Sequence, residues 1–600
     1  MINEQFGPIF KRRSFILGLS KSILITGLLG RLVHLQIFNR DHYRTLADRN
    51  RIQTRFITAP RGQIIDNVGK PLAINQNVYR CLMTPYPQLN IEEELGILES
   101  ILSLSPKQIK DLRDQLTHQS KIATIIKENL TWDEIAALQL KLPDLPGLLI
   151  ERSQIRQYVY PEILCHTIGY VAQASQKDLT EHNLDPIPGL RIGKNGLEKT
   201  FENSLCGSPG FQRVEVNAKR RIVRIIDNTP PKIGQDLQTT LNFELQEKII
   251  QILEPHRNAS VVVMDVNTGA IRAMVSKPGF DSNLFVKGIQ KDVWKSLLTH
   301  EDNPLINKPL AGQYAPGSIF KMMVALAGLY DKAIDRDTQV FCPGHFNLGS
   351  HTFHCWTWNR GGHGTVNLEK AIAESCDVYF YNVALKIGAL KMVEMASRFH
   401  LGQLTGIELD GEKKGLIPSL EWAKFRKGFF KQKGQALNIS IGQGVVLCTP
   451  LQMVRMIAML VNGGKILTPY LVEKNSHQIP EKFVEGIDPS WLEWIQQAMN
   501  KCVNDPRGTA SRANLKLNDW TFGGKSGSAQ VCRITMQQRA DGTYKDLPYH
   551  LKDHAIFVGY APIEKPQHAV SVVIEHGKSG GGVAGPVAGE VLNAARHLYV

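Results

Sequence analysis

One apolar segment near the N-terminus limits what this chain can fold into. Residues 14–38 read SFILGLSKSILITGLLGRLVHLQIF, and a bilayer span needs about 20 mostly apolar residues. Lys21 and Arg31 interrupt the segment, but long basic side chains near the ends of a span can reach the interface. The alternative is a buried amphipathic helix of a soluble protein. The sequence therefore predicts a membrane anchor, and Lys11-Arg12-Arg13 before it favours a cytoplasmic N-terminus.

The anchor prediction fixes the organisation of the rest of the chain. Arg12-Arg13 resembles a twin-arginine export signal, but no small-residue cleavage site follows it, which favours an uncleaved anchor. No later segment is long and apolar enough to span a bilayer. We predict a cytoplasmic tail (1–13), an anchor (14–38) and two domains outside the cytoplasm, over residues 39–235 and 236–600.

Composition excludes several classes of protein. A mean hydropathy of −0.17 over 600 residues is too low for a protein of many membrane spans. The net charge of +14 suits a nucleic-acid binder, a protein beside an anionic surface, or neither of these. No basic-aromatic module supports nucleic-acid binding, and an external location contradicts it. Nine cysteines are too few for a disulfide scaffold.

Alternating apolar segments predict the fold of the second half. Residues 259–266 and 270–275 flank Asn267-Thr268-Gly269 and read as a hairpin, and residues 554–560 and 569–575 read as another. Helix-rich sequence lies between them. This pattern predicts an α/β (α+β) domain, an antiparallel sheet flanked by helices. In the first half, short strands and helices are broken by turns, and Glu92–Leu140 has the leucine spacing of a helical insertion.

A possible nucleophile follows a Pro-Gly turn. Ser318-Ile-Phe-Lys321 comes directly after Pro316-Gly317, and an apolar helical segment follows it. A serine in the first helical turn lies at unpaired N–H groups and the positive end of the helix dipole. Lys321, three residues later, lies on the same face and can take the serine proton when desolvated. On its own the motif is also compatible with an ordinary helix start.

Two further short motifs follow in order. Ser375-Cys376-Asp377 lies 57 residues after Ser318, between predicted helices, and Lys525-Ser526-Gly527-Ser528 lies 150 residues after Ser375. The Lys525 motif reads as a strand with small residues, where another group approaches the backbone closely. Lys578-Ser579-Gly580 is a rival, but it lies in a glycine-rich loop. The order of the three motifs is more specific than any one of them.

At these residues the chain resembles the penicillin-binding and serine β-lactamase superfamily, and within it the class B penicillin-binding proteins. The resemblance covers nearly the whole chain, including Ala59–Asn75, Gly193–Gly207 and Ser440–Gln452. Asp377, where the wider superfamily has asparagine, resembles the elongation branch more than the division branch. The resemblance implies a peptidoglycan D,D-transpeptidase of cell elongation and cell shape, inhibited by β-lactams. It also implies that residues 39–235 form an elongated pedestal.

The resemblance implies a role for each motif residue. Ser318 attacks the penultimate D-alanine carbonyl of a stem peptide, and Lys321 is its general base. Ser375 relays a proton to the leaving amine, and Asp377 orders this edge of the active site. Lys525 provides charge for the terminal carboxylate, and the N–H groups of Ser318 and Ser528 form the oxyanion hole. The substrate peptide pairs with the strand of Ser526, Gly527 and Ser528.

A cysteine-rich segment predicts a structural metal site. Cys342, Cys355, His363 and Cys376 are spaced by 13, 8 and 13 residues, and three thiolates with one imidazole form a closed zinc set. Some relatives carry metal ligands at matching places. A Cys342–Cys355 disulfide, buried thiols without a metal, or ligation by another histidine are the alternatives; those histidines are His345, His351 and His354.

The sequence also leaves alternative functions open, and the resemblance implies a location and partners. The alternatives are a D,D-carboxypeptidase or β-lactamase-type hydrolase, a division-type transpeptidase, and a non-enzymatic β-lactam sensor. The resemblance implies an inner-membrane protein with its catalytic domain in the periplasm. It also implies partners from the elongation complex, including a glycan polymerase of the SEDS family.

Overall fold

The computed structural model describes residues 7–39, 51–86, 89–118, 123–181, 187–217, 222–426, 428–473, 481–517, 519–532, 538 and 541–598. The fold is mixed α/β, as predicted. Its strands are β1 (Ile52–Ile57), β2 (Ile64–Ile65), β3 (Pro71–Met83), β4 (Thr124–Lys127), β5 (Leu148–Tyr158), β6 (Val171–Gln173), β7 (Arg191–Gly193), β8 (Gly210–Val216), β9 (Ile222–Thr229), β10 (Leu237–Gln238), β11 (Ala259–Asp265), β12 (Ile271–Lys277), β13 (Val340–Cys342), β14 (His345–Leu348), β15 (His351–His354), β16 (Gly364–Val366), β17 (Gly523–Ala529), β18 (His554–Ala561) and β19 (His568–Ile574).

The described residues form nineteen α-helices, of which twelve lie after residue 236. They are α1 (Gly7–Val33), α2 (Ile91–Leu102), α3 (Pro106–His118), α4 (Trp132–Lys141), α5 (Gln176–Glu181), α6 (Gly196–Thr200), α7 (Glu202–Leu205), α8 (Phe243–Ile252), α9 (Asn283–Val286), α10 (Lys291–Thr299), α11 (Lys308–Ala311), α12 (Lys321–Tyr330), α13 (Leu368–Ala373), α14 (Asp377–Arg398), α15 (Leu420–Ala423), α16 (Lys433–Ser440), α17 (Pro450–Val461), α18 (Pro489–Asn504) and α19 (Gly585–Leu598).

The predicted anchor segment is helical. Helix α1 continues into a π-helical turn over His34–Phe38, and Arg12–Phe38 is long and apolar enough to cross a membrane. Its most apolar stretch has no residue buried by the rest of the chain. Because buried helices of soluble proteins pack their apolar faces, this exposure favours the membrane span over the alternative of a core helix.

The described part of the first half has two larger sheets and the short two-stranded sheet of β6 and β7. Strand β3 pairs antiparallel with β5 from Ala73 to Met83, and β1, β8 and β9 form a separate sheet in that order. Glu198 of α6 is fully buried between Arg61 and Arg156. The predicted helical insertion holds α2, α3 and α4, but the prediction was wrong at β4, where a short β-branched run pairs with the end of β3.

A five-stranded sheet organises the second half. Its order is β12-β11-β19-β18-β17, so the two predicted hairpins join through antiparallel pairing of β11 with β19. Alternate residues enter two cores: Val262 packs with the central helices, whereas Val261 and Val263 pack with α8 and α19. This is the predicted antiparallel sheet flanked by helices. Strand β17 lies at one end of it, next to the helical core.

Helix α12 lies within that helical core. Its sequence KMMVALAGLY is apolar on every face, and all of its residues except Tyr330 are buried. A helix that is apolar all round is stable only when it is surrounded by protein. The first residues of α12, and the turn before it, are therefore held in a fixed place beside β17.

Candidate active site

Ser318 lies in a 3-10 turn that leads into α12. The turn spans Gly317–Phe320, and Lys321 is the first residue of the helix. Gly317 has φ +56°, in the left-handed region where glycine is favoured. Ser318 is half-buried, while its neighbours Gly317 and Ile319 are buried. The predicted helix start is present, with a tighter first turn than an α-helix has.

Lys321 joins the first motif to the second. Its side chain is fully buried, and its Nζ donates to Ser375 O and Ser375 Oγ, each at 3.0 Å, and to Asp377 Oδ1 at 2.7 Å. Three acceptors match the three protons of a charged amine. The structure therefore brings Lys321, Ser375 and Asp377 together, although 54 residues separate the first two in sequence.

Ser375 and Asp377 lie between α13 and α14. Ser375 has φ +56°, an uncommon conformation for a residue with a side chain. Asp377 begins α14, and its Oδ2 accepts the Trp356 N–H at 3.1 Å. Burial raises the pKa of Asp377, and the charge of Lys321 opposes that rise.

Strand β17 places a second buried lysine at the site. Lys525 is fully buried, and its Nζ donates to Ser526 O at 2.9 Å. Burial lowers the pKa of Lys525 to about 8. The Ser526 hydroxyl lies 2.8 Å from Thr509 Oγ1, and the Thr509 N–H donates to Ala373 O in α13 at 3.2 Å. Thr509 therefore links β17 to the segment that precedes Ser375.

The Ser318 turn and β17 are in backbone contact. A Cβ added to Gly317 would lie 2.5 Å from Ser528 O, and one added to Gly527 would lie 2.7 Å from Pro316 O. Side chains do not fit at these two glycines, which explains the small residues in both motifs. By contrast, Lys578 is exposed on the loop before Gly580. Of the two Lys-Ser-Gly motifs, the structure brings the first beside Ser318.

Three cysteines and one histidine converge behind Ser375. One ligand atom from each of Cys342, Cys355, His363 and Cys376 lies within 4.8 Å of the other three. His363 Nδ1 is 3.6 Å from Cys342 Sγ and 3.4 Å from Cys355 Sγ. Hydrogen bonds from Cys342 and Cys376 lower the pKa of Cys355 well below its ordinary range.

This donor set fits a tetrahedral zinc ion. With Zn–S bonds of about 2.3 Å and Zn–N bonds of about 2.0 Å, neighbouring ligand atoms stand about 3.5–3.8 Å apart. All nine cysteines lie in the described part of the chain, and none forms a disulfide. The other candidate histidines belong to the β14–β15 hairpin and are not among the four residues of this ligand group; they are His345, His351 and His354.

Sequence reasoning missed two supporting residues. Gln443 donates its side-chain amide to Ser528 O, and Thr509 links two motifs as described above. Gly442 and Gly444 on either side of Gln443 both have positive φ, so the Gly-Gln-Gly pattern signals a tight turn. The pattern does not reveal which strand the glutamine reaches.

Two family models match the chain. The model described as "Penicillin binding protein transpeptidase domain" matches residues 259–593, and the one described as "Penicillin-binding Protein dimerisation domain" matches residues 56–239. The chain is 34% identical over 592 residues to peptidoglycan D,D-transpeptidase MrdA of Acinetobacter baumannii, covering 97% of this chain and 87% of the relative. It is 33% identical over 602 residues to MrdA of Escherichia coli K12, covering 97% and 93%.

Solved structures are similar over most of the chain. A complex of penicillin-binding protein PBP2 with MreC from Helicobacter pylori has a TM-score of 0.80 at 28% identity, covering 91% of this chain and 99% of that one. Pseudomonas aeruginosa PBP2 in complex with WCK 5153 has a TM-score of 0.66 at 30% identity, covering 90% and 96%. A structure titled "Structural coordination of polymerization and crosslinking by a peptidoglycan synthase complex" has a TM-score of 0.70 at 26% identity, covering 98% of both.

Proposed function

Since this chain belongs to the class B penicillin-binding proteins, we propose that it is the peptidoglycan D,D-transpeptidase of cell elongation, a β-lactam target that works through a serine acyl-enzyme. The observation that carries the serine mechanism is the buried amine of Lys321. It lies between Ser375 and Asp377, one helical turn from Ser318. A buried lysine next to a half-exposed serine is the arrangement that activates a hydroxyl nucleophile.

Acylation begins at Ser318. Its Oγ forms a bond to the penultimate D-alanine carbonyl carbon while its proton passes to the neutral form of the Lys321 amine, which becomes the ammonium that Asp377 stabilises. The carbon–nitrogen bond to the terminal D-alanine then breaks, and the leaving amine takes a proton through the Ser375 hydroxyl, which is 3.0 Å from Lys321 Nζ. The amine of a neighbouring stem peptide then attacks the ester, which restores Ser318 and forms the cross-link.

The β17 edge holds the substrate. An extended stem peptide adds to this strand beside Ser526, Gly527 and Ser528, and its terminal carboxylate is attracted by the charge of Lys525. The N–H groups of Ser318 and Ser528 stabilise the oxyanion. Gly317 approaches Ser528 O closely, and this brings the next residue, Ser318, near Ser528. The contact therefore supports an oxyanion hole formed by the N–H groups of these two serines.

A zinc ion held by Cys342, Cys355, His363 and Cys376 has a structural role in this proposal. These four residues would hold the ion and so tie the segment from β13 to the start of α14 together. Cys376 stands between Ser375 and Asp377, so the ligand set fixes the loop that carries both. Because all four ligands would come from the protein, an ion held here would supply a structural cross-link and no chemistry on the substrate.

The chain is anchored in the inner membrane with its catalytic domain in the periplasm. The apolar helix and the basic residues before it support this topology. The similar PBP2 structure with MreC, and the similar peptidoglycan synthase complex, support partners from the elongation complex, including a glycan polymerase. The 39–235 domain is the part proposed to contact them.

Labelling with a fluorescent penicillin tests the proposal. The full-length protein in detergent is expected to form a stable adduct on a peptide that contains Ser318, and Ser318→Ala is expected to lose it. Ser296→Ala, in the exposed part of α10, is the matched control. With stem-peptide substrates, cross-linked dimers are expected to exceed free D-alanine from hydrolysis. Unchanged labelling of Ser318→Ala contradicts the serine assignment, and hydrolysis without dimers favours a carboxypeptidase.

A further inference from the structure

The turn after α16 contacts both sides of the active site. The Gly317 N–H donates to Gly442 O at 3.0 Å, and Gln443 Nε2 donates to Ser528 O at 2.8 Å. The Gln443 N–H is itself bonded to Asn438 O at 3.0 Å, which holds the turn on α16. One residue pair, Gly442 and Gln443, is therefore bonded to the nucleophile turn and to β17 at once.

The Gln443 contact fixes the orientation of the Ser528 backbone. Strand β17 is the last strand of its sheet and pairs with β18 on one side. Gln443 is outside the sheet, so the Ser528 carbonyl that it reaches points away from β18. The N–H and C=O of one strand residue point to the same side. The Ser528 N–H therefore also faces the free edge, where the proposed function requires an oxyanion donor.

The backbones of the Gly442 turn, the Ser318 turn and β17 are in direct contact, with no side chains between them. A Cβ added to Gly442 would lie 2.1 Å from Gly317 O, and one added to Gly317 would lie 2.5 Å from Ser528 O. Because no side chain separates these segments, hydrogen bonds set the distance between the Ser318 and Ser528 N–H groups. Oxyanion stabilisation depends on donors that are oriented before the reaction.

We propose that Gln443 is a positioning residue for acyl transfer: it holds the Ser528 peptide so that the Ser528 N–H faces the carbonyl under attack. A carbonyl oxygen has two lone pairs, so Gln443 uses one and leaves the other for an amide of the extended substrate. Gln443 acts through Ser528 and does not take part in proton transfer. This inference rests on the proposed function.

Three variants test the inference in the full-length protein, with benzylpenicillin as the probe. Gln443→Leu removes the donor, Gln443→Glu keeps the shape, and Gln497→Leu, at the exposed surface of α18, is the matched control. The first-order acylation constant at saturation is expected to fall about tenfold in Gln443→Leu, within the range for losing one hydrogen bond in a transition state. Its melting temperature and the control's acylation stay at the wild-type values.

Gln443→Glu distinguishes positioning of the Ser528 peptide from a purely structural role, because only positioning makes the acylation rate of this variant depend on the protonation of the introduced carboxyl group. Its protonated carboxyl donates to Ser528 O, whereas its carboxylate repels that oxygen. The ratio of its acylation constant to that of wild type is therefore expected to rise as the pH falls from 8 to 5, and the ratio for Gln443→Leu to stay flat. The ratio removes titrations that both proteins share, such as that of Lys525.

Two results overturn the inference. One is acylation of Gln443→Leu within twofold of wild type. The other is a loss in both Gln443 variants that does not depend on pH and accompanies a lower melting temperature. If wild type itself is not acylated at Ser318, the proposed function fails instead. Normal wild-type acylation with an unaffected Gln443→Leu rejects only the role of Gln443.

Discussion

The Nζ of Lys321 lies 2.7 Å from Oδ1 of Asp377, and the lysine side chain has no exposure to solvent. A charge buried in this way is tolerated only with a partner, since the desolvation penalty is several kcal/mol. The pair therefore couples the stability of the domain to the geometry of the site. The first prediction follows from this coupling.

Asp377→Ala is expected to destabilise the catalytic domain by about 3 kcal/mol, because it leaves the Lys321 amine buried without a carboxylate. Asp377→Asn retains an oxygen that accepts from Lys321 and is expected to cost less. Chemical unfolding of detergent-solubilised protein measures both. Equal stability of wild type and Asp377→Ala would show that the ion pair contributes nothing net.

The approach of Gly317 to Ser528 leads to a steric prediction. Gly317→Ala places a methyl group 2.5 Å from Ser528 O at φ +56°, so β17 must move away from Ser318. Acylation by penicillin is expected to fall at least a hundredfold, which is the loss reported for removing one oxyanion donor, about 10²–10³.

Gly349→Ala separates backbone strain from the clash. Gly349 has φ +59°, but a Cβ there meets nothing within 4 Å. Both variants carry the cost of a left-handed alanine, about 1 kcal/mol, and only Gly317→Ala carries the clash. Normal acylation by Gly349→Ala with loss in Gly317→Ala is the expected result, and similar behaviour of the two variants would reject the steric explanation.

The acylation rate is expected to fall as the pH rises through about 8, where the Lys525 amine loses its proton. Lys525→Arg keeps its charge throughout this range, so it should not show the fall, although its geometry lowers the absolute rate. Stability changes in the opposite direction: the unfolded lysine keeps its proton up to about 10.5, so folding is favoured as pH rises between these values. Stopped-flow acylation of wild type and Lys525→Arg from pH 6 to 10 measures the fall in the acylation rate. Parallel pH profiles of the two proteins would contradict the prediction.

The cysteine cluster predicts bound metal. Protein purified without chelator is expected to hold about one zinc per chain, and Cys355→Ser to lose most of it, with a lower melting temperature and slower acylation through the Ser375 loop. Cys206→Ser, a half-buried thiol of the first domain, is the control. Elemental analysis well below one zinc per chain in wild type would reject the site.

The sequence contains enough local information to predict some of these features and not others. The alternation over residues 259–275 and 554–575 predicted both hairpins, because each is a local pairing. The pairing of β11 with β19 was not predictable in detail, since it joins segments about 300 residues apart. The Ser318, Ser375 and Lys525 motifs were found by their order and by resemblance. Gln443 was missed because its contact with Ser528 depends on tertiary packing.

Glu198 gives a prediction for the first domain. Its carboxylate is fully buried and contacts Arg61 and Arg156, at 2.6 and 2.7 Å. Burial alone would raise the pKa of Glu198, but the charges of Arg156 and Arg61 outweigh burial and lower it. At a pH above the pKa that Glu198 has in the unfolded chain, the carboxylate therefore stabilises the fold. This stabilisation is lost as the pH falls through the lower pKa of Glu198 in the folded protein.

Glu198→Gln is expected to destabilise the first domain by about 3–5 kcal/mol at pH 7, because two guanidinium groups lose their shared partner. The loss relative to wild type should shrink at acidic pH, where the wild-type carboxylate is also protonated. Glu181→Gln removes an exposed ion pair with Lys177 and is expected to cost less than about 1 kcal/mol. Calorimetric unfolding, with penicillin acylation as a check on the second domain, separates the two variants; equal small losses would mean that the buried cluster is no stronger than a surface pair.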